Sequence, residues 1–127
     1  MRRSWAVMWV DTGGIQAWEA GYGALDHSGR FLRAGTGTVH LTWGGEQAGP
    51  VCVTGEAHRS RPPALKGWTR SGELSFRSRT GVVEFFGDGG ELLGDVTVGG
   101  PGRYRLRAYV RSGAQPEVLI MAWPLKR

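Results

Sequence analysis

The sequence is poor in what builds a helix, a membrane span or a disulfide framework. Cys52 is the single cysteine, so no intrachain disulfide can form and nothing points to an oxidising compartment. No run approaches the ~18 apolar residues of a membrane helix. The apolar stretch at residues 5–10 stops at Asp11 with no small-residue cleavage site behind it. A secretory core of ~7–15 apolar residues is therefore not expected. Helical periodicity is missing because Gly or Pro interrupts almost every window of ten residues. His27, His40, His58 and Cys52 lack metal-ligand spacing. The Gly pairs lack the Lys and Ser/Thr of a phosphate-binding loop, and no serine sits in a nucleophile elbow. These absences predict a protein that is not an enzyme, carries no metal or cofactor, and works in the cytoplasm without a membrane.

What is abundant is glycine, 22 residues of 127, together with six tryptophans. Short apolar runs bounded by Gly are the pattern of an all-β sandwich or barrel. Strands are predicted at residues 4–10, 15–20, 30–34, 36–43, 51–54, 72–77, 82–86, 91–98, 103–110 and 117–123. Turn chemistry separates them at residues 12–14, 26–29, 44–45, 80–81, 87–90 and 99–102. The expectation is one domain over residues 1–127, an antiparallel two-sheet β-sandwich of about eight to ten strands. Residues 103–110 alternate strictly, with Tyr104, Leu106, Ala108 and Val110 on the core face. Residues 119–123 are apolar at every position, which predicts a central strand covered on both faces. The Pro62-Pro63 pair makes residues 58–69 an exposed connection between two halves. Trp5, Trp9, Trp43 and Trp123 are read as core, and Trp18 and Trp68 as candidate anchors. Tyr104, just after Gly102, is placed like the corner tyrosine of Greek-key sandwiches.

Three stretches carry a resemblance: Gly72-Glu73-Leu74-Ser75-Phe76-Arg77-Ser78, Gly102-Arg103-Tyr104-Arg105-Leu106-Arg107-Ala108 and Val118-Leu119-Ile120-Met121-Ala122-Trp123-Pro124. Their order resembles a family of small β-sandwich proteins of high-GC bacteria, from about Thr36 to Pro124. Met121 stands where that family usually has a polar residue, and its longer acidic insert before the last Trp is missing. More distantly, strand order and size are similar to the competence protein J family, whose role is to bind and inhibit a nuclease. The resemblance implies a sandwich with no chemistry of its own.

Charge is segregated along the chain. Residues 51–82 hold six basic and two acidic groups, residues 83–102 none and four, and residues 103–127 six and one. Arg103, Arg105, Arg107 and Arg111 form a ladder, in register with Tyr109, at steps of ~6.6–7 Å on a strand. Arg59, Arg61, Lys66 and Arg70 form a second cluster, with His58 before it and Trp68 inside it. Either can face an acidic protein surface or the phosphates of a nucleic acid. The blander alternative is internal pairing, with Glu84, Asp88, Glu91 and Asp95 as the counter-charges. The leading function is a binding module of the immunity or nuclease-inhibitor kind, recognising a partner protein. The alternative is sequence-independent nucleic-acid binding through the Arg-rich strand.

Overall fold

The computed structural model describes residues 1–11, 14–19, 31–35, 37–43, 49–113 and 115–125. Eight strands build two sheets: β1 (Arg2–Val10), β2 (Gly14–Trp18), β3 (Leu32–Gly35), β4 (Thr38–Thr42), β5 (Gly49–Ala57), β6 (Arg70–Ser78), β7 (Gly102–Arg111) and β8 (Glu117–Pro124). One sheet has the order β1-β5-β8-β7-β6 and the other β2-β4-β3. The expected sandwich is thus present, with strand ends shifted by a few residues. Of the predicted turns, 26–29 and 44–45 lie outside the described residues, as do residues 12 and 13 of the turn at 12–14.

One pairing departs from the antiparallel expectation. β5 and β8 run parallel, Val53 beside Val118 and Gly55 beside Ile120. Parallel neighbours need a long crossover, and here it has two parts. Residues 58–69 carry the chain from β5 across β8 and β7 to reach β6 at the far edge. β6, β7 and β8 then return as antiparallel neighbours. Because the crossing runs over the sheet's outer face, residues 58–69 form a strap over it rather than a free connection. This covers β8 on its second side and bears out its central, two-sided burial.

The core lies between the sheets. Met8, Val53, Leu106, Ile120 and Ala122 point inward from the large sheet and meet Ile15, Val39 and Leu41 of the small one. β3 lies against β6, which leaves the β1–β5 side of the inner face to be closed by residues 81–98. A side chain at Gly55 would put its Cβ 2.7 Å from Leu93 Cδ2 and 2.8 Å from Val96 Cγ1. Only glycine lets that segment seat so closely on β5.

The same segment corrects two predicted strands, residues 82–86 and 91–98. Neither forms a named strand, and their pairing is limited to single bridges, Gln16 to Phe86 and Phe86 to Leu92. The Leu93 and Val96 N–H groups still reach the Phe85 and Val83 carbonyls, at 2.8 and 3.0 Å, but at Val83 the return acceptor is a side-chain oxygen, Asp95 Oδ1. It receives the N–H of Val83 at 2.8 Å and of Thr97 at 3.1 Å, and the Thr97 hydroxyl at 2.7 Å. Asp95→Ala is expected to lower stability by about 2 kcal/mol, read by urea unfolding, because it strands part-buried donors. A loss below ~0.5 kcal/mol would show that water replaces the carboxylate without cost.

Tyr104 is placed as a corner tyrosine. Its hydroxyl lies between the carbonyl oxygens of Val98 and Gly100, the latter at 2.5 Å. Burial pushes the phenol above its ordinary pKa, Asp95 adds to the rise, and a hydrogen bond with Thr97 works against it. The ring stacks on Phe76, with centroids 5.8 Å apart. This fixes the residue 98–102 turn to the start of β7.

Candidate partner-binding surface

The outer face of the large sheet divides into a covered half and a bare half. On the covered half, β7 and β8 present Tyr109, Leu119, Met121 and Trp123, all buried, with Trp68 of the strap packed on them. The strap is held by side chains of β7. Arg107 Nη1 donates to the carbonyls of Pro62 at 3.2 Å and Pro63 at 3.3 Å. The Tyr109 hydroxyl accepts the Leu65 N–H at 3.0 Å. The Pro62-Pro63 pair, which offers carbonyls but no N–H, suits this one-way arrangement.

The arginine ladder is mostly spent inside the molecule. Arg105 Nε and Arg107 Nε donate to the two oxygens of Glu73, at 2.7 and 3.0 Å, and Arg61 adds two contacts at 3.2 Å. Arg61 and Arg107 also stand over the Trp123 ring, 5.3 and 5.0 Å from its centroid. Arg111 pairs with Glu117 at 2.7 Å and lies 4.3 Å over Trp68. Burial raises the Glu73 pKa, but the hydrogen bonds from Arg105 and Arg107 and the charges of Arg61 and Arg105 outweigh it. The carboxyl ends below its ordinary value.

The internal-pairing alternative therefore describes Arg105, Arg107 and Arg111, though not Arg103, and with other partners than the expected ones. Asp95 goes to Arg2, Asp88 Oδ2 accepts the Asp11 N–H at 2.6 Å, and Glu91 Oε1 accepts the Trp9 N–H at 3.3 Å. Glu84 is exposed. Residues 81–98, which hold all four acids, close the inner layer, away from the Glu73 cluster on β7's outer face. Glu73 and Glu117 are instead strand neighbours of the ladder, facing Arg107 and Arg111 in register. An alternating strand opposite the ladder, Glu73 to Arg77, is the signal that finds Glu73 once β6 is known to pair with β7.

The other expected site residues are scattered. Arg59 is exposed on the strap, and Arg70 lies at the start of β6 with its guanidinium 4.6 Å from the Phe31 centroid. Trp68 is half-buried, 5.6 Å from the Tyr109 ring. Arg103 is exposed at the start of β7, away from the Glu73 cluster.

The bare half holds Trp5 and Trp9, two of the tryptophans expected in the core. Trp5, Val7 and Trp9 point outward from β1 and are 71%, 53% and 46% exposed. Beside them on β5 lie Thr54, Cys52 and Pro50, their register partners. Both faces of β1 are apolar, so periodicity could not choose between them. Ala6, Met8 and Val10 face the core, where residues 81–98 pack closely on β1: a Cβ at Gly87 would lie 2.9 Å from Met8 Cβ. The strap stops short of this half, since its path begins at the end of β5 and leads toward β6.

β1 is also an edge strand. The Trp9 carbonyl accepts the Asp88 N–H at 2.8 Å and its N–H meets Glu91, which closes one end of that edge. Arg2 and Arg3 flank the other end, paired to Asp95 and Glu56 at 3.5 and 2.7 Å. Among the described residues no group of three or more His, Cys, Asp and Glu could hold a metal ion, and no helix is long and apolar enough to cross a membrane.

The sequence matches no protein-family model and no curated protein. Its fold matches two solved structures over nearly their full lengths. One is crocagin biosynthetic gene J, with a TM-score of 0.65 at 15% identity, covering 98% of each chain. The other is ComJ from Bacillus subtilis, inhibitor of the DNA degrading activity of NucA, with a TM-score of 0.71 at 7% identity. That match covers 96% of this chain and 97% of ComJ, so the likeness to the competence protein J family holds at the level of the fold.

Proposed function

We propose that this chain is a non-catalytic cytoplasmic module of the inhibitor kind that binds a partner protein on the bare half of its large sheet. The observation that carries this reading is the row of Trp5, Val7 and Trp9, exposed side by side on one strand. Contiguous exposed apolar surface marks interaction sites, and Trp is prominent among binding hot spots. The shared fold with ComJ supports a nuclease as the class of partner. Arg2 and Arg3 at the end of the row, both largely exposed despite their pairing, favour an acidic partner surface. Such charge speeds encounter more than it adds affinity. The exposed free thiol of Cys52 within the patch suits a reducing compartment. Nucleic-acid binding along β7 is the weaker reading, because Arg105, Arg107 and Arg111 are each already engaged by a carboxylate, Glu73 or Glu117.

The test compares the wild type with the double variant Trp5→Ala/Trp9→Ala in co-purification and in inhibition of the recovered partner's DNA degradation. Both side chains are exposed, so the fold should survive. Affinity is expected to fall by about 30-fold or more, the effect of losing one or two hot-spot residues. A partner held equally well by the double variant would remove the reading, as would a folded wild type that retains no protein.

A further inference from the structure

A second feature lies at the opposite edge of the large sheet from the tryptophan row. Arg77 of β6 and Arg103 of β7 are direct register partners and both are exposed. Opposed residues on paired strands hold their Cβ atoms ~4.5–5.5 Å apart, and like charges so placed repel. Among the described residues neither guanidinium has a carboxylate partner. Two residues further along β7 the contrast is plain, since Arg105 is bound to Glu73 at 2.7 Å.

The two arginines line a cleft of about 420 Å³, shared with Gly99, Pro101, Gly102, Tyr104, Pro124 and Leu125. That volume falls within the ~300–1,000 Å³ of small-molecule sites. Its wall, the residue 99–102 turn, is fixed by the Tyr104 hydroxyl, so the cleft is held open by a buried anchor.

We propose that this cleft binds a small phosphomonoester, its phosphate held between the Arg77 and Arg103 guanidiniums. Two positive charges match a phosphate of charge about −1.5 to −2, whereas a carboxylate would leave one of them unneutralised. Planar guanidinium forks suit the oxygens of a phosphate, each through paired hydrogen bonds. Pro101, Pro124 and Leu125 supply an apolar wall for the organic part. A long nucleic-acid strand is disfavoured, because the next arginines along β7 are already paired. The cleft is separate from the tryptophan row, so this proposal and the partner-binding reading can fail independently.

The probes are phenyl phosphate, benzoate, and an oligonucleotide with and without a 5′-phosphate, titrated into the full chain and followed by NMR. Phenyl phosphate should shift the Gly99, Gly100 and Gly102 amides and the Arg77 and Arg103 side-chain N–H groups. Saturation is expected below ~10 mM at ~50 mM salt, with benzoate at least about tenfold weaker. Arg77→Gln and Arg103→Gln should each weaken phenyl phosphate by roughly tenfold. The same variants should unfold at an equal or slightly higher temperature, because each removes the repulsion. Binding of the oligonucleotide only when it is 5′-phosphorylated would assign the phosphate to a nucleic-acid end, and binding of phenyl phosphate alone to a small molecule. No saturable shift, equal binding of benzoate, or affinity unchanged in both variants would overturn the proposal.

Discussion

Glu73→Gln should destabilise this protein by about 3 kcal/mol, the scale for breaking a buried ion pair from one side. One carboxylate serves Arg61, Arg105 and Arg107, and Arg107 is buried. Removing the charge leaves a guanidinium out of water with only neutral partners, the amide oxygen of the new glutamine and the Pro62, Pro63 and Tyr109 oxygens. At about 4 °C per kcal/mol for a chain of this size, the melting temperature should fall by ~12 °C. The strap should loosen with it, seen as faster hydrogen exchange at the Leu65 amide. A pH series gives a second readout. The Glu73 carboxyl titrates lower in the folded state than in the unfolded chain, so between the two values the unfolded state binds more protons. Its stabilisation is complete above the unfolded glutamate value of about 4.3 and is lost as pH falls through the folded value. The gap between wild type and Glu73→Gln should therefore be widest near neutrality and narrow in acid. A gap that stays constant down to pH 2 would show that the carboxylate acts by shape alone.

Gly81→Ala is expected to cost about 3 kcal/mol, for two reasons that add. Gly81 has φ +80°, where an L side chain costs ~1–2 kcal/mol. A Cβ there would also lie 2.7 Å from Gly100 C and Pro101 N and 2.8 Å from Gly100 Cα. These are backbone atoms that cannot rotate away, so overpacking adds ~1–3 kcal/mol. The Gly81 carbonyl also lies 2.8 Å from the Thr97 hydroxyl, whose one hydrogen it shares with Asp95 Oδ1. Displacement of this crossing should therefore reach both Asp95 and the turn beside the Arg77–Arg103 cleft. Denaturant unfolding reads the stability, and phenyl phosphate binding to the variant reads the cleft. A loss under ~1 kcal/mol would mean that the turns separate freely, against the close fit of backbone on backbone.

The balance between sequence and structure differs from one element to the next. β7 and β8 were legible because alternation and continuous apolarity report burial directly, strand by strand. Tyr104 was legible because a corner hydroxyl bonds a few residues upstream, a local relation. Residues 82–86 and 91–98 misled for an equally local reason, since an aspartate side chain can replace a strand as acceptor without altering the hydrophobic pattern. For the arginines, internal pairing was the alternative to a binding face, and Arg105, Arg107 and Arg111 are paired, but with other acids than the expected ones. Ion pairing across a sheet depends on which strands are neighbours, and residues 83–102, adjacent in sequence to β7, end on the other side of the core.

By itself the sequence determined that this chain is an all-β sandwich with its core on the inward residues of β7 and β8, because strand periodicity and turn chemistry are properties of short segments. Only the tertiary structure decided what the surface offers. A parallel β5–β8 pair forces the strap across the outer face, which buries Trp123, engages Arg107 and leaves Trp5, Val7 and Trp9 bare. Exposure is a relation between distant segments, and the two apolar faces of β1 were equivalent until the path of residues 58–69 and 81–98 covered one and not the other.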